Sequence, residues 1–434
     1  MLSNEVAQFA IYLVPMVLFM AIYLYRHRKH EAVSHESLRE AVNAGLTQPA
    51  SLHPVIDPSR CLGSGSCIAA CPEGTILGLI GRKAHLVNPT HCIGHGACQK
   101  ACPHDAITLV FGTAERGVDI PEVKPNFETN VPGIFIAGEL GGMGLIRNAI
   151  EQGRQAMEAI KKRKGNTNQL DVVIIGAGPA GYSASLNALN HKLRFTTIEQ
   201  ETLGGTVAHF PRGKIVMTQP AVLPMVGKVR FRETTKETLL GFWKEVEKKT
   251  GIKINYNERM EEIKTNANGF TVTTTKNVYT TRNILLAIGR RGTPRKLGVS
   301  GEELPKVVYR LVDPEQYRGQ HVLVVGGGDA ALEAAISIAE QPDTTVTLSY
   351  RSDAFSRAKE KNRRKITDMN ETGQLTLLMK SNVTRIDHNM VTLEQQGKTI
   401  DITNNAVIIS AGGVLPTPFL KNIGINVDTK YGTV

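Results

Sequence analysis

The chain has 434 residues, enough for two or three domains each with its own core, so a single-motif protein is excluded. Its 51 basic and 40 acidic residues leave a net charge of +11, which suits an anionic membrane surface or an acidic partner as readily as a nucleic acid. With 12 Phe and one Trp there is no aromatic, basic face of the kind on which bases stack, and nucleic-acid binding is not expected.

The chain opens on an apolar run, VAQFAIYLVPMVLFMAIYLY from Val6 to Tyr25, in which Gln8 is the polar exception. A helix of about 20 apolar residues spans a bilayer, and membrane helices tolerate a kink of the kind Pro15 predicts. RHRKH follows at Arg26–His30. Basic charge on that flank predicts an outward N-terminus and a cytoplasmic bulk, hence a single-pass inner-membrane protein. A cleaved signal peptide would carry its charge before the apolar run and small residues after it, and neither is present. Residues 31–54 read as a spacer containing a short helix ended by Gly45 and Pro49.

All six cysteines fall in the next stretch, as Cys61, Cys67, Cys71, Cys92, Cys98 and Cys102. RCLGSGSCIAACPEGT, from Arg60, and HCIGHGACQKACPHDA, from His91, repeat one pattern, C-x5-C-x3-C-P. The bacterial ferredoxin rhythm is C-x2-C-x2-C-x3-C-P, with the fourth cysteine serving the other cluster. By that rule Cys61, Cys67 and Cys102 hold one iron–sulfur cluster and Cys92, Cys98 and Cys71 a second. Ser64 and His95 stand where the rhythm asks for another cysteine. Imidazole is a known ligand of cluster iron, whereas a serine hydroxyl is a poor one at neutral pH. Each site is expected to hold a 3Fe-4S cluster, or a 4Fe-4S cluster completed by His95, Ser64 or water. Disulfides are not expected on the cytoplasmic side.

Beyond the cysteines, Val131–Ile160 reads as a buried strand, a glycine-rich turn and a helix closing at the basic Lys161–Gly165. LDVVIIGAGPAGYSASLNALNHKLRFTTIE, Leu170–Glu199, is strand, glycine turn, helix, strand and acidic residue. In such a turn the first glycine permits the bend, the second lets backbone approach a pyrophosphate and the third permits close helix packing. Gly176, Gly178 and Gly181 take these places, and Glu199 is spaced to accept from ribose hydroxyls. A second unit, HVLVVGGGDAALEAAISIAEQPDTTVTLSYR, places Gly326, Gly328 and Ala331 likewise but ends on Arg351. A guanidinium there favours a 2′-phosphate and hence NADPH over NADH, with Arg357 a candidate helper and Ser352 a point against.

From about Gly117 to the end, the glycine loops together with LLAIGRRGTP (from Leu285) and VIISAGGVLP (from Val407) resemble the low-molecular-weight thioredoxin reductase superfamily. Val55–Thr113 resembles a two-cluster ferredoxin. LGGT, with Gly204, Gly205 and Thr206, resembles the family loop along the flavin ring. Thioredoxin reductases carry a CxxC before the second glycine loop, but Val307–Gly319 has no cysteine. Bacillithiol-disulfide reductases carry a cysteine where Ala180 stands. The resemblance therefore points to the ferredoxin–NADP reductase branch rather than to disulfide reduction. The family's last segment, which closes the flavin site through an acidic residue, is similar to TNVPGIFIAGE with Gly138 and Glu139. Here it precedes the first glycine loop, as in a circular permutation. A helix starting near Gly142 would then aim its positive end at the flavin.

The resemblance implies an α/β protein with two Rossmann-like dinucleotide-binding domains and an α+β ferredoxin-like iron–sulfur domain, and the apolar run adds one N-terminal transmembrane helix. The expected boundaries are 1–30 for the anchor and its basic flank, 31–54 for the spacer and 55–113 for the iron–sulfur domain. A permuted C-terminal element of the FAD domain occupies 114–165, the FAD domain 166–294, the NAD(P)H domain 295–415 and a return segment 416–434. The function implied is electron transfer between NAD(P)H, FAD, two iron–sulfur clusters and an acceptor such as a quinone, cytochrome or ferredoxin. A membrane-tethered redox sensor and a disulfide reductase are the alternatives, and a homodimer is an open assembly.

Overall fold

The computed structural model describes residues 2–43, 47–49, 52–92, 94–142, 144–163, 169–210, 215–217, 221–229, 234–290, 292–355 and 358–432. The chain divides into two compact units, 1–117 with 431–434, and 118–430.

The first unit begins with a single helix, α1, Leu2–Asn43, which contains Pro15. The expected separation of an anchor from a short spacer helix is not seen, because no residue between Tyr25 and Asn43 breaks the helical run. Instead of a free spacer, the later turns of α1 are docked. Glu31 Oε1 accepts the Gly81 N–H at 2.7 Å, and a Cβ on Gly78 would come 2.4 Å from Ser34 Oγ. The apolar side chains from Leu13 to Tyr25 are exposed, Phe19 by 76%. Among the described residues no helix is long and apolar enough to cross a membrane, so they do not support the expected span.

The iron–sulfur region follows the repeat. β1 (His53–Ile56) leads to the short helix α2 (Ser66–Ala69) and the hairpin β2 (Leu77–Ile80) and β3 (Lys83–Leu86); α3 (Ala97–Ala101) and β4 (Ile107–Val110) complete it. β1 pairs antiparallel with β4, Ile56 opposite Ile107, and β2 pairs antiparallel with β3. Four cysteines share the core with Ile76, Leu77, Ala84, Ala106 and Ile107.

The second unit starts with β5 (Val118–Pro121) and β6 (Ile134–Ile136), then α4 (Ile146–Lys161), β7 (Val172–Ile175), α5 (Pro179–Asn190) and β8 (Phe195–Ile198). β7 reads VVII and is buried throughout, as expected of a parallel strand covered on both faces. The parallel sheet runs β6, Ile284–Leu286, β7, β8. Thus β6 pairs at the sheet edge although it precedes the first glycine loop, and the terminal strand Val427–Lys430 pairs antiparallel with β5. Both features agree with a permuted chain order. α4 begins at Ile146, four residues later than Gly142, because a 3-10 turn occupies Glu139–Gly141. Its buried stripe, Ala149, Ile150, Gly153, Ala156, Met157 and Ile160, meets α5 closely; a Cβ on Gly153 would lie 2.0 Å from the Ala180 carbonyl.

A five-stranded parallel sheet forms the other half, in the order Val307–Val308, Ala406–Ile409, His321–Val325, Thr345–Tyr350, Thr376–Met379. The chain passes to and from it through Thr293–Pro294 and Gly413–Val414, which pair antiparallel.

Candidate functional site

The six cysteines gather in two groups of three. One cavity, of about 360 Å³ with its solvent mouth included, is lined by Cys71, Cys92 and Cys98 together with His95 and Glu73. The other, of about 310 Å³, is lined by Cys61, Cys67 and Cys102 with Ser64 and His104. All six thiols are free. Among the described residues no three His, Cys, Asp or Glu side chains converge as they would on a single metal ion. The thiols of each group instead surround a space of similar size, an arrangement that fits a multi-iron cluster better than mononuclear zinc.

The loops that place them are alike. Gly63 and Gly65 have φ of +71° and +72°, and Gly94 and Gly96 of +76° and +72°, so both repeats turn through the left-handed region before a short helix. Backbone N–H groups already point at sulfur, from Ala84 to Cys61 Sγ at 3.4 Å and from Ala106 to Cys102 Sγ at 3.3 Å. Such bonds stabilise thiolate charge on a cluster. Burial pushes the thiols of Cys67, Cys92 and Cys98 upward, so iron must displace their protons. Burial pulls the His95 imidazole downward, with Glu73 opposing.

In the second unit the three glycines of the first loop meet three different surroundings. A Cβ on Gly176 (φ +102°) would lie 2.6 Å from the Ala287 carbonyl, and one on Gly181 1.8 Å from the Gly176 carbonyl. Around Gly178 nothing lies within 4 Å. The outer two are required by the protein's own packing, and the middle one borders open space, as the second glycine of a pyrophosphate-binding turn does. Glu199 is buried, with Oε2 accepting the Ala177 N–H at 2.7 Å and Oε1 the Glu201 N–H at 3.1 Å. Burial raises its pKa and these hydrogen bonds oppose the rise. The LGGT loop reaches the same place, a Cβ on Gly205 coming 3.1 Å from Gly178 Cα, while Gly204 packs under Leu240 and Thr206 is half-buried. Gly138 donates its N–H to Gln152 Oε1 at 2.8 Å and lies against Ala180. Glu139 is half-buried between Gly144 and Gly289. The structure thus draws together the first glycine loop, the LGGT loop and the early TNVPGIFIAGE segment.

The second loop repeats the logic. A Cβ on Gly326 (φ +144°) would lie 2.4 Å from the Ser410 carbonyl, Gly328 faces open space, and Ala331 is fully buried. Arg351 is exposed at the end of its strand and Ser352 is half-buried, whereas Arg357 lies outside the described residues.

Several residues near these loops escaped the sequence reading. Arg290 donates to the Asp119 carbonyl at 2.9 Å; burial works against its charge and Glu139, then Asp119, work for it. Arg310, in the segment that lacks the CxxC, contacts Glu201 Oε2 at 2.9 Å, and His209 Nε2 lies 2.7 Å from the same oxygen. Gln152 is a helix residue whose role depends on a loop 14 positions earlier. Nothing local in the sequence marked these contacts.

Comparison with known proteins accords with this geometry. Residues 173–433 match the pyridine nucleotide-disulphide oxidoreductase family, and residues 53–103 match a 4Fe-4S dicluster domain. The chain belongs to that oxidoreductase family. It is an NAD(P)H-dependent flavoprotein oxidoreductase joined to a ferredoxin-type 4Fe-4S domain. Bacilliredoxin reductase Bdr of Bacillus subtilis is 27% identical over 271 residues, 61% of this chain and 83% of that protein. The ferredoxin–NADP reductase of Pediococcus pentosaceus is 33% identical over 194 residues, 44% of this chain and 56% of that protein, so the match spans little more than half of it. Among solved structures, the bacillithiol disulfide reductase Bdr (YpdA) of Staphylococcus aureus aligns with a TM-score of 0.51 at 27% identity, covering 60% of this chain and 82% of that one.

Proposed function

We propose that this oxidoreductase moves electrons between NAD(P)H and an acceptor other than a disulfide, through FAD at the first glycine loop and two iron–sulfur clusters in the cysteine cavities. The observation that carries the reading is the division of the six cysteines into two three-thiol cavities on the same chain as two glycine loops that open at Gly178 and Gly328. No cysteine follows Cys102, so residues 103–434 offer no dithiol for disulfide exchange.

Gly176, Gly178 and Gly181 hold the flavin pyrophosphate against the start of α5, with Glu199 on the ribose. Gly138, Glu139, Gly204, Gly205 and Thr206 line the remainder of the flavin. Gly326, Gly328 and Ala331 hold the nicotinamide nucleotide, and Arg351 favours NADPH. When bound, the flavin supplies the conversion between a two-electron hydride donor and one-electron carriers. The chain's own part is to orient both nucleotides by backbone N–H groups and to supply six thiolates. Fusion of the iron–sulfur region to the flavoprotein keeps donor and acceptor at high effective concentration. The run Val6–Tyr25 and its basic flank Arg26–His30 anchor the enzyme to the inner membrane, a reading supported by the apolar sequence and by the exposure of Leu13–Tyr25.

The test is anaerobic purification followed by flavin, iron and acid-labile sulfide analysis, and NADPH-driven reduction of ferricyanide and of a quinone analogue. Flavin with iron and sulfide, bleached together by NADPH, is expected. A protein that binds flavin but reduces only disulfides would sink the proposal.

A further inference from the structure

We propose that His95 is a ligand of the cluster in the Cys71, Cys92 and Cys98 cavity, while the cluster in the Cys61, Cys67 and Cys102 cavity has no matching ligand, so that the two clusters are chemically unequal. The inference rests on the dicluster reading above and goes beyond it by assigning an iron ligand and its consequence.

The register comes first. Cys92, His95, Cys98 and Cys102 fall on the ferredoxin spacing C-x2-C-x2-C-x3-C, with the imidazole in the second ligand position. Cys61, Ser64, Cys67 and Cys71 fall on the same spacing. The glycines flanking each substituted residue share one backbone conformation, with all four φ values between +71° and +76°. Equivalent backbones place Ser64 and His95 equivalently, so the contrast between them lies in their side chains.

That contrast is clear. His95 lines its cavity alongside the three thiols, and its side chain is 19% exposed. Its recorded ionic neighbour, Glu73 Oε1, is 3.9 Å away, beyond hydrogen-bond reach, and no described residue hydrogen-bonds the ring. A half-buried imidazole that lines the cavity beside three thiols, with no hydrogen-bond partner among the described residues, is placed to coordinate iron. Ser64 also borders its cavity, but it is exposed and its hydroxyl lies 3.2 Å from Ser66 Oγ. His104 borders that cavity too; it is exposed and takes the repeat position of Glu73, not that of His95.

Replacing one thiolate by a neutral imidazole makes a cluster less negative by one charge and raises its potential, as histidine does in Rieske centres. The His95 cluster is then the one whose fourth iron is held by the protein. The other keeps three thiolates and an iron corner open to water or lost in air.

The test uses the full-length protein, purified without air and labelled with 15N only at histidine. Pulsed electron paramagnetic resonance of the reduced protein should show a nitrogen coupling of the size seen for directly bound imidazole, lost in His95→Ala and kept in His104→Ala. His95→Cys should retain the full iron and sulfide content and lower one cluster's potential, with flavin content serving as a control for folding. Mild oxidation of the wild type should give a three-iron signal from one site per chain, rising to two in His95→Ala. Clusters present without a strongly coupled histidine nitrogen would overturn the assignment, as would a coupling that survives His95→Ala and vanishes in His104→Ala. Absence of iron and sulfide from the wild type would overturn the dicluster reading itself.

Discussion

Gly178 and Gly181 are three residues apart yet do opposite things, and the difference yields the first prediction. Gly178→Leu fills open space, so it should abolish flavin binding while leaving fold and iron content intact. Gly181→Ala forces a Cβ onto the Gly176 carbonyl and should lower the stability of the flavoprotein unit by about 1–3 kcal/mol, as overpacking does. Flavin fluorescence, iron analysis and thermal unfolding separate the two; equal flavin and iron loss from Gly178→Leu would contradict the assignment. Arg351, exposed at its strand end, belongs to the same scale. Charge-assisted hydrogen bonds are worth roughly 1.5–3 kcal/mol, so Arg351→Glu should change the NADPH to NADH preference in kcat/KM about tenfold to a hundredfold towards NADH. An unchanged ratio removes Arg351 from the nucleotide site. The sequence disclosed these glycines because each follows an unbroken apolar strand and opens a helix, a local pattern. It could not disclose Arg290 or Arg310. Their partners, Asp119 and Glu201, lie 171 and 109 positions away, and only the folded chain sets those distances.

At the scale of elements, the least legible was α1. Glycine, proline and the change from apolar to polar composition suggested an anchor and then a spacer, but helix formation is indifferent to that change of polarity, and one helix runs through both to Asn43. Its later turns are held by tertiary contacts at Gly78 and Gly81 that the sequence does not advertise. Two truncations follow from this. Removal of residues 1–30 should leave NADPH–ferricyanide activity and iron content unchanged. Removal of residues 1–46 also strips Glu31 and Ser34 from β2 and its turn, and should lower iron retention and the unfolding temperature of the iron–sulfur unit. Equal behaviour of the two truncations, measured by iron content and differential scanning calorimetry, would show that the docked turns are dispensable. β7 and α5, by contrast, were legible as a strand and a helix in their order, since parallel core strands and glycine-opened helices carry their signal within a few positions.

At the scale of the molecule, the relation of the early segment to the main sheet was readable only through resemblance. Pattern alone marked Ile134–Ile136 as a buried strand; that its neighbour would be Ile284–Leu286 is a matter of topology. The division of the six cysteines between two cavities was legible for a different reason. The ferredoxin spacing fixes which loop carries each thiol, and the repeat relates the two loops by the same offset. What the spacing could not reveal is that Ser64 is exposed while His95 is half-buried.

The pairing of β6 with Ile284–Leu286 also sets an order of maturation on the ribosome. From Ile136 to Ile284 is 148 residues, so at roughly 5–20 residues per second β6 emerges about 7–30 s before the strand it must pair with. During that interval the entire cysteine repeat is already outside the exit tunnel, while no flavin site exists because its first glycine loop has no completed sheet behind it. Metallocluster insertion is therefore expected to precede flavin capture. Nascent chains stalled so that residues 1–165 are exposed should take up iron and sulfide but not flavin. A stalled chain of this length that acquires neither would show that the iron–sulfur region waits for the C-terminal residues 431–434, which belong to the same compact unit. The young enzyme would then be most vulnerable to oxygen, with thiols or newly seated iron exposed before any electron donor can be bound.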